Sequence, residues 1–296
     1  RTSGARLQIS HIQPKYGAPA HAMEHTLEII SAARRHGVEL AFDVIPHDWA
    51  HTLVMAILPR WALEGGVDRI LERLKDDESR DQIKRNRSPM WLLVADRLWS
   101  KIVLLNSREN PQLVGESLEE IGKARGVDPY DAVLDLLLEE GNDMHQLLWT
   151  SHAFLESDLE LCLEQPECAV ISDTLALAPY GDLATQLGSL SGYGWTSEFL
   201  NRYVKERNVM SLSEGVRRLT SLPAQRLGLG DRGLVRGGFK ADIVEFDPDA
   251  IRSTWTVQQP RSYPTGIEYV IVNGRLTISA GQRTENDGGM VLRAPL

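Results

Sequence analysis

The sequence predicts an α/β protein built on a parallel sheet, followed by a small antiparallel β module. Strand-like and helix-like segments alternate up to about residue 230, which is typical of parallel strands joined by crossover helices. Beyond that point the chain is punctuated by glycine and carries short runs rich in Val and Ile, and Asn273-Gly274 between two of them predicts a hairpin. We therefore expect two parts, residues 1–230 and residues 231–296.

Helices are predicted from apolar residues at three- and four-residue spacing and from end signals, such as a capping box at Ser117 and Glu120 and a first-turn proline at Pro129. They cover residues 22–36, 51–64, 67–74, 117–125, 128–140, 157–164, 196–207, 211–220 and 223–227. Short apolar runs predict strands at residues 7–10, 38–44, 91–93, 101–105, 144–150 and 168–172, and in the tail at 241–247, 269–272 and 276–279. Up to residue 230 this makes about four or five βα units, whereas a closed barrel of this type needs about eight.

Composition excludes some classes of function. The net charge of -9 argues against nucleic acid as a partner, because nucleic-acid-binding proteins usually present a basic face. No apolar run is long enough for a membrane helix, and no apolar segment follows the first residues as it would in a signal peptide. Cys162 and Cys168 are the two cysteines, and we expect them to be reduced, in a cytoplasmic protein.

Four predicted strands end in side chains that carry chemistry. His11, His47 and His152 each close a strand-like run, and Asp173 follows the run that begins at Cys168. Residues at the carboxyl ends of parallel strands gather at one face, where a carboxylate can serve as a general base. The pattern therefore predicts one site assembled from distant parts of the chain.

Several motifs resemble the amidohydrolase superfamily, and within it most closely the N-acyl-D-amino-acid deacylase (D-aminoacylase-like) branch. The motifs are Thr220-Ser221-Leu222-Pro223-Ala224, then Gly238 with Ala241-Asp242-Ile243-Val244, then Val270-Ile271-Val272-Asn273-Gly274. The resemblance extends upstream through Gln8-Ile9-Ser10-His11, Asp43-Val44-Ile45-Pro46 and Ser172-Asp173. It covers nearly the whole chain and matches the C-terminal portion of the family.

The resemblance implies the later part of a metal-dependent (β/α)8 TIM barrel, with a composite β-sandwich built from both chain ends and one or two zinc ions at the barrel's C-terminal face. His11 matches a metal-binding histidine. The next ligand falls within residues 43–47, where Ile45 holds the expected position, so His47 or His51 would replace it. Asp173 matches the catalytic aspartate, which would act as general base and acid when a zinc-activated water attacks the amide.

The chain also departs from the family pattern. The family's His-x-His pair and its bridging ligand on the fourth strand have no counterpart, and Ser191-Gly192-Tyr193-Gly194-Trp195 replaces its His-Pro-Arg-x-Tyr-Gly segment. We expect Tyr193 and Trp195, in a glycine-flanked loop, to cover a substrate or to pack on the β module. His152 would contact substrate or be structural, and Asp43 would orient a neighbouring ligand.

The resemblance implies a hydrolase that acts on a carbon–nitrogen bond of a small-molecule amide. Two alternatives stay open. One is a cyclic amidohydrolase similar to dihydroorotase or hydantoinase. The other is a non-catalytic chain that needs an N-terminal half, or a homo-oligomer, to cover the strand edges that a half barrel exposes.

Overall fold

The computed structural model describes residues 4–86, 91–175, 177–178, 180–181 and 191–293. Its strands are β1 (Leu7–Ile9), β2 (Leu40–Val44), β3 (Ala50–Leu53), β4 (Ile102–Asn106), β5 (Leu148–Ser151), β6 (Cys168–Val170), β7 (Ile243–Phe246), β8 (Ile267–Val272), β9 (Arg275–Ser279) and β10 (Gln282–Arg283). Its α-helices are α1 (Ala22–Arg35), α2 (Arg60–Leu63), α3 (Val67–Lys75), α4 (Asp77–Arg85), α5 (Leu92–Ala95), α6 (Leu118–Arg125), α7 (Pro129–Glu140), α8 (Glu156–Leu163), α9 (Ser191–Glu198), α10 (Leu212–Leu219) and α11 (Ser221–Arg226). A π-helical stretch, Phe199–Glu206, continues α9.

The first sheet is parallel, in the order β1-β2-β6. All five residues of β2 are buried, as expected for a central strand covered on both faces. Helices α1 and α8, the π-helical stretch and α10 pack on this sheet around Phe42, Val44, Leu159, Phe199 and Tyr203. The α/β prediction with crossover helices is confirmed here, although this sheet has three strands among the described residues rather than four or five.

A second sheet, β3-β5-β4, is antiparallel, so the prediction that residues 101–105 and 144–150 continue the parallel sheet is wrong. The predicted helix at residues 51–64 is also wrong in its first half. His51 and Thr52 are weak helix formers and pair instead with β5, and the helical turn α2 begins only after Pro59. The predicted strand at 91–93 is helix α5, and α4, whose first turn is capped by Asp76, was not predicted. Residues 141–146 form 3₁₀ turns, so β5 starts only at Leu148.

Helices α6 and α7 confirm their end signals. The Ser117 hydroxyl accepts the Glu120 N–H and the Glu120 carboxylate accepts the Ser117 N–H, which closes the predicted capping box. Pro129 opens α7, one residue after the capping residue Asp128. These helices pack with the antiparallel sheet around Trp99, Tyr130 and Trp149, so residues 50–150 have a hydrophobic core of their own.

The C-terminal sheet is antiparallel, in the order β10-β9-β8-β7, and Asn273-Gly274 joins β8 to β9 as predicted. Asn273 and Gly274 have φ of 49° and 79°, the left-handed conformation that this tight hairpin requires. Cys162 and Cys168 are free and buried, as expected from the sequence. No helix within the described ranges is both long and apolar enough to cross a membrane.

Candidate active site

The candidate site lies at the carboxyl edge of the parallel sheet. In register, Ile9 pairs with Phe42 and Val44 pairs with Val170, so the segments that leave the three strands emerge at the same edge. His11 follows β1, residues 45–47 follow β2 and Asp173 follows β6. The parallel register therefore brings three of the four predicted strand ends to one edge.

His11 and Asp173 both have left-handed backbones, with φ of 38° and 49°. Their side chains are exposed. Positive φ is uncommon outside glycine and persists where surrounding structure imposes it. Two exposed side chains capable of chemistry, held on unusual backbone at the ends of the strands on either side of β2, are typical of a functional edge rather than of a packed core.

Asp43 fixes the segment after β1. Its buried carboxylate accepts hydrogen bonds from the His11 backbone N–H at 2.7 Å, the Ser10 hydroxyl at 3.0 Å and the Gln8 side-chain amide at 2.7 Å. These three donors supply the partners that a buried carboxylate needs. The sequence predicted that Asp43 orients a neighbouring ligand; its carboxylate holds the His11 backbone, and the ligand role of His11 stays a prediction.

Gln13 performs the matching task for the segment after β2, and sequence reasoning missed it. The Gln13 amide donates to the carbonyl of Ile45 at 2.8 Å, and its side-chain oxygen accepts the Ile45 N–H at 3.2 Å. A second, longer bond of 3.4 Å reaches the carbonyl of His47. No local pattern marks a glutamine beside a proline as buried, so only the fold reveals this clamp.

His47 is 1% exposed, and its Nε2 atom is buried without a hydrogen-bond partner. The ring stacks on Trp49, with centroids 4.2 Å apart and planes 19° from parallel. Burial, together with the nearby positive charge of Arg202 and the His51 ring, lowers the pKa of His47 to about 3. The imidazole is therefore neutral at physiological pH, the form that binds zinc.

His51 lies on β3 and not in the helix predicted at residues 51–64. The ring centroid of His51 is 6.2 Å from that of Trp49. Burial lowers the pKa of His51, while the carboxylate of Asp173 acts in the opposite direction. His51 is thus a neighbour of both His47 and Asp173.

His152 does not end a strand of the parallel sheet, because β5 belongs to the antiparallel one. It nevertheless reaches the segment after β2, with its Nδ1 atom 2.9 Å from the carboxylate of Asp48. Arg202 lies 3.9 Å from the same carboxylate and 2.6 Å from that of Glu156. A network of charged residues therefore borders His47, and the sequence pattern did not indicate Arg202.

Tyr193 and Trp195 lie in helix α9, not in the predicted loop. Trp195 packs on the core of the parallel sheet, whereas the alternative interpretation expected it on the β module. The Tyr193 hydroxyl donates to the carbonyl of Leu177, and its ring contacts Tyr263 with centroids 5.3 Å apart. Tyr193 therefore ties the segment after Asp173 to the chain between β7 and β8.

The residues at this edge fit a metal ion in part. The orphaned Nε2 atom and the neutral state of His47 suit a zinc ligand. Across the residues that the structure describes, however, no group of three or more His, Cys, Asp or Glu side chains is arranged to hold an ion. The donors present here fit part of a zinc site and need further ligands to complete one.

Sequence comparisons find relatives of which this chain spans only a part. The family model described as "Amidohydrolase family" matches residues 175–278. The N-acyl-D-glutamate deacylase of Alcaligenes xylosoxydans xylosoxydans is 27% identical over 278 residues, which cover 93% of this chain and 46% of that protein. The N-acyl-D-aspartate deacylase of the same organism is 29% identical over 197 residues, covering 67% of this chain and 36% of that protein. The chain thus spans about half the length of the curated relatives it matches, or less.

Solved structures give the same result. The N-acyl-D-glutamate deacylase from Bordetella bronchiseptica, complexed with zinc and a phosphonate inhibitor, superposes with a TM-score of 0.69 at 25% identity over 99% of this chain and 51% of that one. A crystal structure of D-aminoacylase shares the fold, with a TM-score of 0.70 at 23% identity over 98% of this chain and 50% of that one. The chain is therefore similar, over nearly its whole length, to N-acyl-D-amino-acid deacylases, and residues 175–278 match the amidohydrolase family.

Proposed function

We propose that the protein to which this chain belongs is a metal-dependent amidohydrolase that removes the acyl group from an N-acyl-D-amino acid. The observation that carries the proposal is the parallel register, which puts the exits of β1, β2 and β6 at one edge with His11, His47 and Asp173 on them. The similarity of this chain to an N-acyl-D-glutamate deacylase and an N-acyl-D-aspartate deacylase also supports the proposal.

In this proposal His11 and His47 would hold zinc, one or two ions in all, together with donors that the described residues do not supply. When bound, zinc would polarise the scissile carbonyl and make a water molecule more acidic. Asp173 would accept the proton from that water and deliver it to the leaving nitrogen. His51, close to Asp173, is the alternative to His47 as the residue that replaces the ligand expected at Ile45.

His152, Tyr193 and Trp195 keep the substrate-contact roles expected from the sequence, and the structure gives them unequal support. His152 is 75% exposed on its side chain and is oriented by Asp48, so it is free to meet a substrate. Trp195 packs against the core, and Tyr193 holds the segment after Asp173, so these two would act on substrate through that segment.

We further propose that β1, β2 and β6 are strands of a (β/α)8 barrel, within residues 1–230, and that residues 231–296 form part of a β-sandwich. The parallel sheet, its covering helices and the separate C-terminal sheet support this assignment. Residues 50–150 would then be an insertion between two barrel strands, because β2 and β6 pair directly across them.

The test is to purify the protein without chelator, measure zinc by elemental analysis, and follow amino acid release from N-acyl-D-amino acids. Zinc-dependent release that is lost in a His11→Ala, His47→Ala double variant is the expected result. A folded protein with neither zinc nor hydrolysis would overturn the proposal and favour a non-catalytic chain. Turnover of cyclic ureides in preference to N-acyl-D-amino acids would instead establish the cyclic amidohydrolase alternative, which the replaced segment at Ser191–Trp195 leaves open.

A further inference from the structure

A chain segment from the C-terminal part crosses the candidate site. This crossing segment, residues 251–257, lies between β7 and β8. Its start is buried at Ile251, and the Arg252–Thr265 bridge pins it to the chain that returns to β8. Its far end, Val257, packs on a small hydrophobic cluster of Trp49, Leu105 and Leu148.

The crossing segment is anchored on helix α9. The Ser253 hydroxyl donates to the carbonyl of Gly194 at 2.8 Å, and the buried Ser197 hydroxyl donates to the same carbonyl at 2.9 Å. Trp255 lies so close to Gly194 that a Cβ atom there would be 2.6 Å from the Trp255 ring. Glycine is therefore required at 194 for the indole to lie in this position.

The anchored crossing segment brings the Trp255 ring close to His47, the candidate zinc ligand. Trp255 meets Trp49 edge to face, with centroids 5.4 Å apart and planes at 72°, and it meets His47 at 6.4 Å and 88°. Trp49 itself stacks on His47. The imidazole thus stacks on one indole and makes a T-shaped contact with a second, and this packing restricts how the ring can turn.

We propose that Trp49 is a positioning residue for His47 and that Trp255 holds Trp49 in place, so that the C-terminal segment completes the candidate centre. Neither indole is placed on reacting atoms. The proposal rests on the proposed function only in naming His47 as a zinc ligand. The claim that Trp255 keeps His47 enclosed does not depend on the proposed function, and a separate experiment measures it.

The enclosure is tested by chemical modification of histidine with diethyl pyrocarbonate, read by peptide mass spectrometry with chelator present so that zinc cannot mask the ring. His25, whose side chain is 73% exposed, is the internal reference. His47 should be protected in the wild type, modified at a rate approaching that of His25 in Trp255→Ala, and protected again in Trp255→Phe. Protection that persists in Trp255→Ala would overturn the proposal.

Zinc affinity, measured by competition with a chromophoric chelator, is the second readout. Trp255→Ala should weaken it by about tenfold to a hundredfold, the usual effect of removing a residue that orients a metal ligand, and Trp255→Phe should restore most of it. Trp61→Ala is the matched control, because Trp61 packs on the other core around α2 and α3. An equal loss in Trp61→Ala would show general destabilisation and overturn the positioning role.

Two further arms separate the outcomes. If Trp255→Ala does not fold, Ser253→Ala removes one anchor of the crossing segment and should produce a smaller increase in His47 modification; no increase in that variant would overturn the proposal. If the wild type binds no zinc, the proposed function fails, and the modification experiment alone still decides whether Trp255 encloses His47.

Discussion

The backbone N–H of His11 donates a 2.7 Å hydrogen bond to the side-chain carboxylate of Asp43, so the segment after β1 is anchored to the neighbouring strand. The same carboxylate accepts from Ser10 and Gln8, and none of these donors lies on the strand that carries Asp43. These three donors supply the hydrogen-bond partners that a buried carboxylate needs. The carboxylate holds His11, whose backbone has a left-handed conformation, at the edge of the sheet where the candidate site lies.

We expect Asp43→Asn to lower the free energy of unfolding by about 1–3 kcal/mol. Both carboxylate oxygens accept hydrogen bonds, whereas an asparagine side chain has one oxygen and one NH2 group. The NH2 group would face a donor of Gln8, Ser10 or His11, and that donor would lose its partner. Urea unfolding would measure the loss. Asp76→Asn is the control, since Asp76 caps α4 at the surface and asparagine caps equally well. A variant as stable as the wild type would contradict the anchoring role of Asp43.

On the proposed mechanism, Asp173→Asn should reduce the turnover of N-acyl-D-amino acids by about 10²–10⁴-fold, the usual contribution of a general base, while leaving the fold intact. Asparagine tolerates positive φ as well as aspartate does, so the backbone at φ 49° is not strained by the change. The thermal midpoint is expected to stay at the wild-type value, and steady-state kinetics would show the loss. Wild-type turnover in this variant would remove Asp173 from the mechanism.

Glu214 makes stability depend on acid pH. Hydrogen bonds from Arg217 and Arg218 lower the pKa of Glu214 from 4.5 to about 2. A carboxylate whose folded pKa is depressed contributes stability above its unfolded pKa and loses it as the pH falls through the folded value. With its side chain 30% exposed, solvent screening reduces this contribution to about 1–2 kcal/mol.

Glu214→Gln should therefore lower the free energy of unfolding by that amount at pH 7, and the difference from wild type should shrink between pH 4.5 and about pH 2. Urea titrations across this range would measure it. Glu268→Gln, an exposed change on β8, is the control and should stay within about 0.5 kcal/mol of the wild type. A gap between Glu214→Gln and wild type that does not change with pH would contradict the assignment.

Arg218 is 2% exposed and joins α10 to the entry of β6. Its guanidinium donates to the carbonyls of Gln165 and Cys168, each at 2.6 Å, and of Leu163 at 3.2 Å. Arg218→Lys should destabilise the protein by about 2 kcal/mol, because one ammonium cannot reach all these carbonyls and leaves a buried acceptor unpaired.

The matched control is Arg217→Lys, since Arg217 also pairs with Glu214 but its side chain is 34% exposed. That change should cost less than about 1 kcal/mol. Guanidinium unfolding of both variants would separate the buried arginine from the exposed one, and equal losses would contradict the bridging role of Arg218.

Local signals alone determined much of this protein. Apolar spacing and end signals located most of the helices, among them α6 with its capping box and α7 with Pro129, and Asn273-Gly274 identified the hairpin between β8 and β9. The residues at strand ends and the family motifs indicated a resemblance to the amidohydrolase superfamily. These features could be read from the chain because they depend on interactions within a few residues.

Tertiary structure alone decided the rest. Whether residues 101–106 and 148–151 join a parallel or an antiparallel sheet depends on their partner strands, and the sequence of a short apolar strand does not specify those partners. The burial of Gln13, the position of His51 on β3 beside Asp173, and the reach of Trp255 to Trp49 and His47 link residues far apart in the chain. Such contacts depend on how helices, strands and loops pack against one another, and local secondary-structure propensity does not determine that packing.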